Sequence, residues 1–253
     1  MGEVSGVRPE DDEDVCFLSG DFRLFQKVRG HRWSLDDLIT AHFAAGQAKS
    51  AARCLDLGCG IGSVLLMTAW QFPAAQCLGI EAQAVSAALA RKSIAWNGVA
   101  HRVQLLEEDF RQAPLERQFA LVTGTPPYFP IGSGTLSDKV QAAPCRFETR
   151  GGIEAYCEAA ARALTDEGTF VFCLNAQQLP RVTAALKDNG LWLRAWQDVI
   201  PRAGKAALVS VFSAQRASCS AQQRPDLVVR EQTGQWSEAF LAVRQTMGMP
   251  PRP

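Results

Sequence analysis

The sequence predicts an α/β fold: a central, mostly parallel sheet of seven strands flanked by helices. Three observations carry this. Short apolar runs alternate with longer helical patterns from Ala52 onward, a glycine-rich turn follows the first run directly, and no internal repeat interrupts the alternation. Strands separated by helices form right-handed crossovers, and so a mainly parallel sheet.

The elements read in order as follows. Arg53–Leu57 is a short strand ending in the glycine turn, and Val64–Phe72 continues as a helix closed by Pro73. Gln76–Ile80 is the second strand. It is followed by an Ala-rich helix, Ala84–Trp96, which Asn97–Gly98 terminates. Val103–Leu106 and Phe119–Thr123 are the third and fourth strands, and the fourth stops abruptly at Gly124 and the Pro126–Pro127 pair. An amphipathic helix over Ile153–Leu164 precedes a fifth strand, Thr169–Leu174. Leu179–Asn189 is helical, and Leu191–Gln197 and Ala207–Ser213 are the last two strands. Phe129–Arg150 and Gln215–Arg224 read as irregular, and a loop as long as the first is usually functional.

Composition bounds the function. The 253 residues suit one domain, with 47% hydrophobic and 21% charged residues, which excludes a wholly disordered chain. No apolar run reaches the roughly 18–20 residues needed to cross a bilayer. Met1–Asp14 holds six acids against Arg8 alone, unlike a basic targeting segment. Residues 1–21 are therefore expected to be an acidic, disordered tail, residues 22–253 a single domain, and the chain cytoplasmic. Eight cysteines without a CxxC pair or a neighbouring histidine at zinc-like spacing imply reduced thiols and no metal. Basic and acidic residues balance at 26 each, which leaves room for a local nucleic-acid patch.

The chemistry concentrates in Cys54-Leu-Asp-Leu-Gly-Cys-Gly-Ile-Gly62. Glycines after a strand let the backbone approach a ligand at a helix N-terminus. A dinucleotide-binding turn needs a third glycine where Ser63 stands, and it carries no acid inside the strand. The pattern instead resembles motif I of class I S-adenosylmethionine-dependent methyltransferases, which have a Rossmann-like sheet. That resemblance implies S-adenosylmethionine as cofactor. Asp56, Gly58 and Gly60 would lie by its methionine end, Glu81 at the end of the second strand would accept the ribose hydroxyls, and Asp109 after the third strand would meet the adenine amino group.

Gly124-Thr-Pro-Pro-Tyr-Phe129 resembles the Asn-Pro-Pro-Tyr or Asp-Pro-Pro-Tyr motif of methyltransferases that act on exocyclic or amide nitrogens. The resemblance makes Thr125, Pro126, Pro127 and Tyr128 the catalytic set, with Thr125 also beside the cofactor. Prolines fix the backbone so that its carbonyl accepts the target amine, and Tyr128 stacks on the base. Thr125 departs from the motif: its hydroxyl accepts a hydrogen bond but is shorter than a carboxamide.

The resemblance extends further, to the bacterial tRNA1(Val) adenine-N6-methyltransferases, and covers roughly Phe22 to Met247. Arg29-Gly-His-Arg-Trp-Ser-Leu-Asp-Asp-Leu-Ile39 is similar to their Gly-Tyr-Arg-Phe-Ser-Leu-Asp segment, which implies that Ser34 and Asp36 help cover the cofactor. Cys145-Arg-Phe-Glu148 resembles their Ala-Arg-x-Glu. Asp226-Leu-Val-Val-Arg and Trp236-Ser-Glu-Ala-Phe240 resemble their terminal strand and helix. The implied activity is N6-methylation of adenine in tRNA by a monomer. Between Leu191 and Arg230, six basic residues (Arg194, Arg202, Lys205, Arg216, Arg224, Arg230) stand against Asp198 and Asp226, with Arg146 and Arg150 beside the target loop. Such a patch can hold phosphates. Two alternatives remain at this point: a methyltransferase acting on a small molecule or a protein amide, and a non-catalytic cofactor- and RNA-binding module.

Overall fold

A computed structural model of the chain describes residues 6–48, 50–128, 148 and 151–250. The expected loop Phe129–Arg150, Glu148 apart, lies outside the described residues, as do Met1–Ser5, Lys49 and the three C-terminal residues.

The central sheet has eight strands: β3 (Arg53–Leu57), β4 (Gln76–Glu81), β5 (Val103–Glu107), β6 (Phe119–Gly124), β7 (Leu164–Asn175), β8 (Trp192–Ile200), β9 (Val209–Gln215) and β10 (Gln222–Val228). Their spatial order is β10-β8-β9-β7-β6-β3-β4-β5. Only β9 runs antiparallel, pairing with β7 and β8. The expected count was seven. The extra strand, β10, takes its first residues from the stretch read as irregular, with Gln222–Arg224 pairing with Ala195–Gln197. It is an exposed, polar edge strand with a register shift between Arg224 and Leu227, where Pro225 has no N–H to give. Without alternating burial it leaves no period-two signal.

Helices cover both faces: α1 (Leu35–Gln47), α2 (Ser63–Gln71), α3 (Ala84–Trp96), α4 (Ile153–Ala163), α5 (Leu179–Asp188) and α6 (Glu238–Thr246). Two cores result. One joins α1 and α2 to Leu121, Val171 and Val211, and the other sets α4 and α5 against Leu55, Val122, Phe170, Phe172 and Phe212. In the second, Phe170, Phe172 and Phe212 stack in series at 4.6 and 5.2 Å. Each ring is fully buried and contributes about 1.5–3 kcal/mol through lost apolar exposure. The seven described cysteines are free thiols, five of them buried.

The acidic N-terminal stretch is not a tail throughout. Glu13–Phe17 forms β1, antiparallel to β2 (Arg23–Lys27). Several of the acids are ion-paired: Lys27 and Lys92 both pair with Glu10 and the buried Glu13, and Lys27 pairs with Asp12 at 2.8 Å, while Glu10 and Asp12 stay exposed. Both lysines lie outside the acidic run, so composition within the run does not reveal them. The hairpin docks on α3, where the Ser93 hydroxyl accepts from the Phe25 N–H at 2.9 Å and Asn97 accepts from the Arg23 N–H at 2.8 Å.

The chain leaves β3 toward β4 on one side, while β6 and β7 lie on the other. Order reverses between β3 and β6, and ligands in such sheets bind beyond the carboxyl ends of the strands at that point. No described helix is long and apolar enough to cross a membrane.

Candidate active site

Asp56 is the fourth residue of β3, in register with Thr123 of β6 and Gly79 of β4. It is 3% exposed. Its Oδ1 accepts the Thr123 hydroxyl at 2.8 Å, while Oδ2 makes no well-formed hydrogen bond. Burial raises this carboxyl from 3.8 to about 7. The Thr123 hydroxyl opposes that shift, and the nearby Asp37 and Glu81 charges add to it.

The turn after β3 places Gly58 at φ +59° and Gly60 at φ +55°, left-handed conformations that suit glycine. A Cβ on Gly58 would sit 2.5 Å from the Tyr156 hydroxyl of α4, whereas a Cβ on Gly60 would meet open space. The Gly60 side of the turn therefore leaves room for a ligand. Its N–H donates to Glu81 Oε2 at 2.9 Å, and the Gln83 N–H donates to Oε1 at 2.6 Å. Glu81 is thereby locked at the end of β4.

From the opposite side comes α1, which begins with a capping box. Ser34 is the N-cap, and the Asp37 carboxylate accepts the Ser34 N–H at 2.8 Å. Asp37 is buried, and burial raises it to about 7, with Asp36 adding repulsion and the Ser34 N–H opposing. Asp36 is raised by burial as well, against the Tyr128 hydroxyl donating to its Oδ2 at 2.5 Å. Asp37 and Thr123 were not singled out from sequence. The Ser-x-x-Asp capping pattern at 34–37 was the available signal for the first, and nothing local pointed to the second.

Thr125, Pro126, Pro127 and Tyr128 leave the end of β6 as expected, with both prolines buried. Tyr128 is held by its hydroxyl on Asp36 and, at 3.5 Å, the Cys173 sulfur, by its carbonyl accepting from Gln178 Nε2 at 3.2 Å, and by packing against both apolar cores. The side chain thus links the strand exit to α1. Asp109 follows β5 by two residues and is engaged by Arg111, whose Nε lies 2.9 Å from Oδ1. Glu148 is clamped with Glu154 by Arg181, at 2.7 and 2.6 Å.

The site thus brings Asp36, Asp37, Asp56 and Glu81 together across α1, β3 and β4. Among the described residues, no cationic side chain forms a salt bridge with Asp36, Asp37 or Asp56. Carboxyls raised by burial, one with an oxygen that makes no well-formed hydrogen bond, suit a cation that would hold them ionised. S-adenosylmethionine carries a sulfonium and an ammonium, and the acid set together with the open Gly60 turn fits it.

Residues 54–130 match a family model described as a methyltransferase domain. Together with the sheet order and the glycine turn, this makes the chain a class I S-adenosylmethionine-dependent methyltransferase. Among curated relatives, a tRNA1(Val) (adenine(37)-N6)-methyltransferase of Vibrio cholerae serotype O1 is 27% identical over 224 residues, covering 88% of this chain and 91% of that protein. The enzyme of the same name from Bacteroides thetaiotaomicron is 26% identical over 193 residues, 75% and 80% of the two chains. Among solved structures, one titled a predicted O-methyltransferase from Agrobacterium tumefaciens superposes with a TM-score of 0.65 at 20% identity, covering 86% of this chain and 99% of that one. Pyrococcus horikoshii TYW2 in complex with MeSAdo superposes with a TM-score of 0.58 at 15% identity, over 82% and 73%.

Proposed function

We propose that the chain methylates N6 of adenine in tRNA. One observation carries the reading: the Thr125-Pro-Pro-Tyr128 exit of β6 is hydrogen-bonded, through Tyr128 and Asp36, to the helix whose first turn contributes to the carboxylate cluster. The named relatives, matching over most of their length, support tRNA as the acceptor.

When bound, S-adenosylmethionine supplies a methyl already activated on its sulfonium. Asp36, Asp37 and Asp56 would hold its cationic end, with Ser34 capping the helix that delivers the first two. The open Gly60 side of the turn would give it access, with Gly58 packed on the Tyr156 hydroxyl, while Glu81 would take the ribose hydroxyls and Asp109 the adenine side. The Pro126 backbone carbonyl and the Thr125 hydroxyl would accept the N–H bonds of the target amine and so orient its nitrogen lone pair for transfer. Pro127 stiffens the exit, and the Tyr128 ring packs against the unstacked base. No strong base is needed, because the amine loses its proton after transfer.

Thr125 itself favours a second reading, in which the acceptor is a small molecule or a protein amide rather than tRNA. The deciding assay is methyl transfer from labelled S-adenosylmethionine to total tRNA, with wild type beside Thr125→Asn. Nuclease-sensitive label digesting to N6-methyladenosine is expected. Silence from both enzymes while the cofactor still binds refutes tRNA as substrate. A silent wild type with an active Thr125→Asn would mean a disabled amine clamp.

A further inference from the structure

The six basic residues between Leu191 and Arg230 do not form one patch. Arg194 is half-buried and donates to the Gln47 carbonyl at 3.4 Å. Arg216 is turned inward onto the carbonyls of Ala161 and Leu164. Arg224 lies on the outer strand β10. Strand direction sorts the other three. Because β8 is parallel to β10 and antiparallel to β9, which is antiparallel to β7, both β8 and β10 end on the side of the sheet where Asp56 and Thr125 lie. Arg202 and Lys205, in the β8–β9 turn, and Arg230, just after β10, therefore share the end that carries the active site.

Hydrogen bonds make this one continuous surface. The Gln178 side chain donates to the Tyr128 carbonyl, and the Ala176 N–H donates to the Leu208 carbonyl at 3.3 Å. The Ala203 N–H donates to the Arg230 carbonyl at 2.8 Å. Arg230 and Arg244 lie over the Trp236 ring at 5.9 and 4.0 Å, which packs the base of the surface. Arg202 and Lys205 are exposed and form no ion pair among the described residues. Asp198, the acid nearest in sequence, is capped by the Ser210 hydroxyl. Glu231 and Glu238 are exposed acids near this turn, and the active-site carboxylates Asp36, Asp37, Asp56 and Glu81 lie farther along the same end of the sheet. The cationic character is therefore local to Arg202, Lys205 and the half-buried Arg230, which also donates to the Gly234 carbonyl at 2.8 Å.

We propose that the β8–β9 turn, through Arg202 and Lys205 with Arg230 behind them, is where the RNA backbone docks while its target base enters at Thr125–Tyr128; this rests on the RNA reading above. The turn lies two to three strand spacings from β6, about 10–15 Å, a distance that lets flanking phosphates be held while one base is unstacked. Exposed cations with no ion-pair partner among the described residues, as Arg202 and Lys205 are, suit phosphate, which they neutralise with release of counterions.

The test is binding and turnover of unmodified total tRNA by Arg202→Gln/Lys205→Gln, at salt concentrations from 50 to 200 mM. Arg117→Gln is the control, an exposed cation before β6 at the opposite end of the sheet. The double variant is expected to raise Kd and KM for tRNA about tenfold. It should also flatten the salt slope by about 0.7–0.9 for each phosphate that is no longer neutralised, with kcat within twofold and cofactor Kd unchanged. The control should match wild type. If wild type methylates tRNA and the double variant keeps its Kd and salt slope, the surface assignment is overturned and the substrate reading stands. If wild type transfers nothing to tRNA, the substrate reading fails and takes this surface with it.

Discussion

Replacing Asp56 by Asn separates stability from cofactor affinity. In the folded chain burial holds the Asp56 carboxyl at about 7, against 3.8 when exposed. A carboxyl raised in the folded state favours folding below pH 4, and that contribution is lost as pH rises through 7. At pH 8 the ionised, buried carboxylate opposes folding by on the order of 4 kcal/mol, since each unit is about 1.4 kcal/mol. Asn is neutral at every pH. Its carbonyl can still accept the Thr123 hydroxyl, while its NH2 replaces Oδ2, which has no well-formed partner, at a cost of about 1–3 kcal/mol. Asp56→Asn is therefore expected to stabilise the cofactor-free protein at pH 8 by about 1–3 kcal/mol, raising Tm by about 2–10 °C. At pH 5, where Asp56 is already protonated, the gain should vanish or reverse. Cofactor affinity should move the opposite way, falling tenfold or more at pH 8. The same linkage makes wild-type affinity drop about tenfold per contributing carboxyl between pH 8 and 6, because the sulfonium charge is permanent while Asp37 and Asp56 protonate. Thermal unfolding and titration calorimetry read both quantities. A variant less stable than wild type at pH 8, or a wild-type affinity flat across this range, would refute the cation-site reasoning.

Thr123→Val removes the hydroxyl that opposes the rise of Asp56, so the acid limb of cofactor affinity should move to higher pH, as calorimetry at several pH values would show. Gly58→Ala forces a left-handed alanine and places its Cβ 2.5 Å from the Tyr156 hydroxyl, so a loss of about 2–4 kcal/mol and of cofactor binding is expected by thermal melts and calorimetry. Adding Tyr156→Phe should recover part of it, because the next ring atom lies at 3.5 Å. Tyr128→Phe keeps the ring but frees Asp36, and should weaken cofactor binding severalfold while turnover at saturating cofactor falls less than in Tyr128→Ala, as steady-state kinetics would reveal.

Much of the fold was legible because its signals are local. The strand-and-turn unit from Arg53 to Gly62 and the abrupt stop of β6 at Pro126 depend on residues adjacent in the chain, and strand–helix alternation dictates parallel pairing. Glycines, a strand-end acid and a proline pair likewise marked the tight turn after β3 and the exit of β6. What stayed illegible depends on partners far apart in sequence. Lys92, 79 residues after Glu13, converts an acidic stretch into strand β1. Thr123, 67 residues after Asp56, shares its carboxylate, and Asp36 meets Tyr128 across 92 residues.

The basic residues give the same lesson. Their number was countable from sequence, but only antiparallel β9, by setting the direction of β8 and β10, decided which of them face the active-site end and which turn into the protein. Sequence alone determined the class of fold, the glycine turn after β3 and the proline-pair exit of β6, because short-range sterics and hydrogen bonding specify them. Tertiary structure decided the electrostatics, because burial raises a carboxyl only when other segments exclude water and bring other carboxyls close.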